Sequence, residues 1–90
     1  MSERRVTIRV EGIVQGVNYR QAARREAERL GISGFARNEN DGSVTVEAEG
    51  ETAAIARFIE WCQHGPASAR VDAIEVSDGL LVGYDGFTRR

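Results

Sequence analysis

Apolar and polar residues alternate near the start of the chain and then change to a helical spacing. The first alternating apolar residues are Val6, Ile8 and Val10. This period of two predicts a strand with one buried face. After a segment that contains glycine, Ala23, Ala27 and Leu30 recur at i, i+4 and i+7, which predicts an amphipathic helix that ends at Gly31. The first unit is therefore strand, loop and helix.

The middle of the chain has the pattern of a β-hairpin. Residues 32–37 form one candidate strand, and a second is expected to end at Gly50. The alternating apolar residues of the second strand are Val44, Val46 and Ala48. Residues 38–42, Asn-Glu-Asn-Asp-Gly, are turn formers, and Asp-Gly is the strongest pair among them.

The last third of the chain predicts a second helix and two further strands. Thr52 is the expected N-cap, and the helix should end near residues 64–66. Its apolar stripe is Ile55, Phe58, Ile59 and Cys62. A fourth strand is expected at Val71, Ile74 and Val76. Residues 79–83 should form a loop, and residues 84–88 a short final strand.

The order of these elements, βαββαβ with a short extra strand, predicts the fold. It favours an α+β, ferredoxin-like sandwich, with an antiparallel-dominated sheet of four to five strands and two helices on one face. Ninety residues suit a single domain, so we expect residues 1–90 to be one unit. In such a sandwich, the loop after the first strand and the end of the second strand come to the same edge of the sheet.

Charge and composition narrow the possible chemistry. The net charge is −2, which argues against nucleic acid as the main partner. All twelve basic residues are arginine, so Schiff-base lysine chemistry is excluded and anions would be bound by guanidinium groups.

Composition also bears on location and assembly. A single cysteine excludes an internal disulfide and fits a reducing compartment. The first residues do not read as a signal peptide, and no apolar run approaches the roughly 18 residues of a membrane span. We therefore expect a cytoplasmic monomer without a membrane partner.

Other polar residues offer weaker candidates for chemistry. Cys62 is expected in the core, His64 at a surface helix end and Ser43 at the start of a strand. Acidic residues expected on solvated faces are Glu26, Glu28, Glu47, Glu49 and Glu51. Because no convincing metal-binding cluster is present, neither a metal nor a cofactor is expected.

The segment from Gly12 to Arg20 is the strongest candidate for chemistry. A glycine-bearing loop that leads into a helix can direct several main-chain N–H groups at one point, and the helix N-terminus adds partial positive charge. Arg20 can add two charged donors. This predicts a phosphate or sulfate site. The same glycines also suit a simple change of chain direction, so the segment alone leaves both interpretations open.

Two motifs resemble signatures of the acylphosphatase family. The first reads Gly12, any residue, Val14-Gln15-Gly16-Val17, a variable residue, Tyr19 and Arg20. The second reads Gly34-Phe35-Ala36-Arg37-Asn38, three residues, Gly42-Ser43-Val44, and then Gly50. Together with Trp61 and Gly65-Pro66, the resemblance covers nearly the whole chain.

The resemblance implies metal-independent hydrolysis of small acyl phosphates to carboxylate and phosphate. It assigns the phosphoryl group to Arg20 and to a cradle of main-chain amides, and the orientation of the attacking water to Asn38. The cradle residues are Gln15, Gly16, Val17, Asn18, Tyr19 and Arg20. Three residues depart from the family pattern: Asn18 within the cradle, Tyr19, where phenylalanine is commoner, and Arg89, where an apolar residue is usual.

Two other interpretations remain open at this point. One is a non-catalytic ferredoxin-like module that binds an anion or a partner with the same cradle. The other is a domain of a larger carbamoyl-phosphate-using maturation protein. Since the chain begins with Met1 and ends just past the final predicted strand, a free-standing protein is the expectation.

Overall fold

The computed structural model describes residues 2–90, which form one five-stranded sheet and two helices. The elements are β1 (Glu3–Ile13), α1 (Tyr19–Leu30), β2 (Ser33–Asn38), β3 (Val44–Glu51), α2 (Thr52–Cys62), β4 (Arg70–Gly79) and β5 (Phe87–Arg89). Within this range, neither helix has the length and hydropathy that a transmembrane segment needs.

The strands lie in the order β4-β1-β3-β2-β5. All neighbouring pairs are antiparallel except β2 and β5, which are parallel. In the central pair, Ile8 lies opposite Val46, and Val10 lies opposite Val44. The alternation read from the sequence therefore sets the register, and the predicted ferredoxin-like α+β fold is confirmed.

Both helices pack on the same face of the sheet. The alternating residues of β1 and β3 form one buried cluster with Ala23 and Ala27 of α1 and with Ile55, Phe58 and Cys62 of α2. Hydrophobic burial of this kind is the main stabilising contribution in a domain of this size. Two further residues of the predicted apolar stripes, Leu30 of α1 and Ile59 of α2, are only partly buried.

Three predicted boundaries were wrong. The N–H of Ile32 closes the end of α1 on the Ala27 oxygen (2.8 Å), so β2 begins one residue later. The N-cap of α2 is Glu51, because Thr52 is already helical and its hydroxyl lies 3.3 Å from the Ser2 oxygen. The last strand starts at Phe87 instead of residue 84.

The face of the sheet opposite the helices is partly covered by residues 82–84. Glu49, only 8 % exposed, accepts hydrogen bonds from all three of their main-chain N–H groups at 2.5–2.9 Å. Burial disfavours the charged carboxylate, but these bonds outweigh it and lower the pKa of Glu49. Glu47 is bonded to Arg5 and Thr7. The expectation of solvated carboxylates was therefore wrong for Glu47 and Glu49.

Candidate functional site

The loop between β1 and α1 is shaped by two left-handed residues. Gly16 has φ 74° and Asn18 has φ 68°. Asn18 directly precedes α1, and its side chain makes no capping hydrogen bond. Among residues 2–90, no acceptor receives the main-chain N–H groups of residues 15–18. Such a run of free donors beside a helix N-terminus favours an anion.

The first turn of α1 adds positive potential to the loop. It contains no acidic residue, so no carboxylate of this turn offsets the partial positive charge of the helix N-terminus. Arg20 lies in this turn, and its Nη1 donates to the main-chain oxygen of Arg90 at 2.5 Å. The guanidinium group is thereby held near the end of β5.

Tyr19 anchors the junction of loop and helix to the core. It is 1 % exposed, and its hydroxyl donates to the Cys62 carbonyl oxygen at 2.7 Å. Its ring lies 5.5 Å from that of Trp61, measured between centroids. Burial raises the pKa of Tyr19, so the hydroxyl stays a hydrogen-bond donor. The start of α1 is thus fixed against α2.

Gln15 ties the loop to the β2–β3 hairpin. Its Nε2 donates to the main-chain oxygens of Glu39 at 2.7 Å and of Ser43 at 2.9 Å. Asn38 is the last residue of β2 and directly precedes Glu39, whose oxygen accepts the first of these hydrogen bonds. The predicted meeting of the loop and the end of β2 at one edge of the sheet is therefore observed.

The hairpin turn is held by its own carboxylate. Asp41 accepts hydrogen bonds from the hydroxyl of Ser43 at 2.6 Å and from its N–H at 2.9 Å, and it pairs with Arg9 at 2.6 Å. The bonds from Ser43, together with Arg9, lower the pKa of Asp41 to about 2. The turn after Asn38 is accordingly well defined at neutral pH.

These elements enclose a small cleft of about 100 Å³. Its lining includes Gly16, Asn18, Tyr19, Arg20, Asn38 and Arg89. Asn38 Oδ1 is buried, and no donor within residues 2–90 reaches it. A buried acceptor of this kind is rare and indicates a place for a polar ligand or water.

The cleft brings together two predicted site residues, Arg20 and Asn38, with the loop that carries the expected cradle. The sequence pattern did not predict the side-chain hydrogen bonds of Gln15 or the presence of Arg89 in the lining. The period of two in β5, counted from Phe87, was the signal that could have placed Arg89 on the helix face.

The weaker candidates lie away from this cleft. Cys62 is fully buried in the core, and burial raises the pKa of its thiol to about 12. The side chain of His64 is 73 % exposed and lies 3.8 Å from Glu60. Over the range 2–90, no group of three or more His, Cys, Asp and Glu side chains is arranged to hold a metal ion.

Comparison with known proteins shows which family the whole chain resembles. The family model described as Acylphosphatase matches residues 6–88. A curated acylphosphatase of Salinibacter ruber is 49 % identical over 90 residues, which cover 99 % of this chain and 95 % of that protein. The structure of an acylphosphatase from Coxiella burnetii superposes with a TM-score of 0.94 at 33 % identity, covering 98 % and 93 % of the two chains.

A larger protein contains a similar fold. The crystal structure of full-length HypF in its phosphate- and nucleotide-bound form matches with a TM-score of 0.91 at 28 % identity. The match covers 99 % of this chain but 12 % of that protein. The same sandwich thus occurs as a small acylphosphatase and as a part of a long chain.

Proposed function

This chain belongs to the acylphosphatase family and is a hydrolase of acyl phosphates, and we propose that its phosphoryl-binding group is Arg20 and its water-orienting group is Asn38. The observation that carries this assignment is the position of the buried, unpartnered Asn38 Oδ1 in the cleft that Arg20 also lines. The two residues come from separate motifs, 18 positions apart, and meet only in the folded chain.

The proposed phosphoryl site is built from main-chain donors and one guanidinium group. The free N–H groups of residues 15–18 and the first turn of α1 form the cradle. Arg20 adds charge-assisted hydrogen bonds of the strong, two-pronged kind. Preorganised donors stabilise the charge that spreads over the equatorial oxygens of the transferring group.

The proposed role of Asn38 is to fix the attacking water. Its carbonyl oxygen accepts a hydrogen bond from water, and an amide does so without titrating near neutral pH. Water held at Asn38 attacks phosphorus opposite the bond to the acyl oxygen. Positioning of this kind supplies a large part of the rate enhancement in phosphoryl transfer.

The reaction balances without a protein base. Water forms a new P–O bond while the bond between phosphorus and the acyl oxygen breaks, giving a carboxylate and dihydrogen phosphate. A phosphoryl oxygen of the substrate takes the proton of the attacking water. Because a carboxylate is a weak base, the leaving group needs no proton. His64, which lies away from the cleft, has no part in this reaction.

We also propose that the enzyme acts as a cytoplasmic monomer, without a metal ion and without nucleic acid. In support of a monomer, Arg20 and Asn38 of a single chain already line one cleft. The single cysteine suits a reducing compartment, and the acidic net charge disfavours nucleic acid. Sedimentation analysis tests the assembly state, and turnover in the presence of EDTA tests the metal independence.

Steady-state hydrolysis of benzoyl phosphate tests the assignment of the two residues. Arg20→Ala should lower kcat/KM by about 10³-fold and Asn38→Ala by about 10²-fold, with native far-UV circular dichroism. The matched controls are Arg24→Ala, one turn further along α1 and paired with Glu28, and Asn40→Ala in the exposed hairpin turn. Wild-type turnover in either site variant would refute the assignment.

A further inference from the structure

Arg89 brings a second guanidinium group to the cleft. Phe87 of β5 is buried against Phe58 of α2, with ring centroids 5.9 Å apart, so it faces the helices. Arg89 lies two residues later and therefore points to the same face. In the parallel register, Arg89 lies opposite Ala36, another residue buried under the helices. Arg89 is thus placed beside the first turn of α1.

Asn38 shares that face, because it follows Ala36 by two residues in β2. The end of β2 therefore presents Asn38, and the neighbouring end of β5 presents Arg89, to the same cleft. Across from them lies Arg20 in the first turn of α1. The phosphoryl site is accordingly flanked on its sheet side by a second cationic side chain.

The charge of Arg89 is not compensated locally. Within residues 2–90, no carboxylate lies within ion-pair distance of Arg89, and the cleft lining contains no acidic residue. In contrast, Arg9, Arg29 and Arg37 are each paired with a carboxylate. Arg89 is also exposed, so its guanidinium group is available to a ligand.

The phosphoryl group has its own set of donors in Arg20, the loop amides and the helix N-terminus. A cleft of about 100 Å³ is smaller than the roughly 300–1,000 Å³ of ordinary ligand pockets, so the acyl part of a substrate extends out of it. An exposed guanidinium group at the rim is placed to meet that acyl part.

We infer that Arg89 is a specificity-determining residue that binds a second anionic group, such as a carboxylate, on the acyl part of the substrate. The inference rests on the proposed function of the cleft. Arg89 thereby favours acyl phosphates that carry a further negative charge over neutral ones of the same shape.

Paired substrates test this selectivity directly. Benzoyl phosphates that carry a 3- or 4-carboxylate are compared with their neutral carboxamide counterparts in wild type and in Arg89→Gln. The ratio of kcat/KM between carboxylated and neutral substrate should fall about fivefold in Arg89→Gln for at least one of the two ring positions, the scale of an exposed ion pair. Arg89→Lys should keep part of this ratio, because it keeps the charge but loses the two-pronged geometry.

Arg37→Gln is the matched control for the general electrostatic field. Arg37 also lies near Asn38, but it faces the other side of the sheet, where it pairs with Glu39 at 3.0 Å and contacts the Phe35 ring at 5.3 Å. We expect the substrate ratio to be unchanged in this variant. In the wild type, the ratio should decrease as salt concentration rises.

Two results would overturn the inference. One is a substrate ratio that stays the same in Arg89→Gln at both ring positions. The other is an equal loss for charged and neutral substrates together with weaker inhibition by inorganic phosphate, which would assign Arg89 to the phosphoryl group. Failure of the proposed function is a separate observation, namely full turnover of benzoyl phosphate by Arg20→Ala.

Discussion

The side-chain amide of Gln15 donates a 2.7 Å hydrogen bond to the main-chain oxygen of Glu39, the residue that directly follows Asn38. A second bond from the same nitrogen reaches Ser43 at 2.9 Å. One side chain from the loop between β1 and α1 thus fixes the end of the strand that carries Asn38. The two parts of the proposed site are joined by this contact and not only by proximity.

Replacing Gln15 with methionine should uncouple the two parts. Met fills a similar volume but donates no hydrogen bond, so the Glu39 oxygen loses its partner. We expect the free energy of unfolding to fall by about 1–3 kcal/mol. We also expect kcat/KM for benzoyl phosphate to fall about tenfold, as positioning is lost. Urea denaturation and steady-state kinetics measure both effects.

The control for this change is Gln63→Met, at an exposed helix end with no side-chain hydrogen bond in the described chain. It should behave like the wild type in both measurements. Wild-type activity and stability in Gln15→Met would show that the hydrogen bonds between loop and hairpin contribute to neither catalysis nor folding.

The sequence was sufficient for those features that depend on local periodicity and turn chemistry. The alternation of Val6, Ile8 and Val10 predicted which face of β1 is buried. The turn residues after Asn38 predicted the position of the hairpin between β2 and β3. The two motifs predicted roles for Arg20 and Asn38, and the fold places both residues in the lining of one cleft.

Other features depend on contacts between distant segments, which no local pattern encodes. Glu47 and Glu49 alternate like solvated strand residues, yet the chain returns across them with residues 82–84. Tyr84 was assigned to the last strand, but its N–H bonds to Glu49 and its hydroxyl to Glu47 instead. The later start of β5 follows from these contacts.

Asn18 is expected to tolerate glycine but not valine. Its φ of 68° is accessible to glycine and strained for a β-branched residue by about 1–3 kcal/mol. Asn18→Gly should therefore keep its stability within about 1 kcal/mol and its turnover within a few-fold. Asn18→Val should lose both stability and phosphate affinity, as measured by thermal denaturation and inhibition by inorganic phosphate.

Asn40→Val in the exposed turn is the comparison for Asn18→Val, since Asn40 does not have a positive φ. It should leave phosphate affinity unchanged. Equal effects of valine at both positions would contradict a special conformational role for Asn18.

Acid should weaken the contact between Glu49 and residues 82–84. The folded pKa of Glu49 lies below the ordinary 4.5, so its contribution to stability is complete above that pH and is lost as pH falls through the folded value. Asp41 follows the same direction between 3.8 and about 2. The free energy of unfolding should therefore decrease as pH falls below about 4.5.

Glu49→Gln should remove part of this pH dependence. At pH 7 we expect it to lower the free energy of unfolding by about 1–3 kcal/mol, because a neutral amide replaces an acceptor of three N–H groups. Urea denaturation between pH 7 and pH 2.5 measures the slope. Glu3→Gln, exposed at the start of β1, should retain the wild-type curve. Identical slopes in wild type and Glu49→Gln would exclude Glu49 as a source of the acid sensitivity.

A side chain at Gly34 should prevent close pairing of β2 and β3. A Cβ atom there would lie 1.9 Å from the main-chain oxygen of Glu47, and φ is 146°. At Gly42, in the same hairpin, a Cβ atom would meet nothing within 4 Å, although φ is 94°. Gly34→Ala should therefore cost about 2 kcal/mol more than Gly42→Ala in thermal or urea denaturation. Equal costs would contradict the close approach.

Arg20 and Asn38 are proposed to have separate roles, phosphoryl binding and water orientation. These roles are tested most directly by titrating inorganic phosphate into the wild type, Arg20→Ala and Asn38→Ala while following amide resonances by NMR. This separation of roles predicts that Asn38→Ala binds phosphate within a few-fold of wild type, with shifts at residues 15–20, although its turnover of benzoyl phosphate falls by about 10²-fold. Arg20→Ala should lose both phosphate binding and turnover. Undiminished phosphate shifts at residues 15–20 in Arg20→Ala, or loss of phosphate binding in Asn38→Ala with its fold intact, would contradict it.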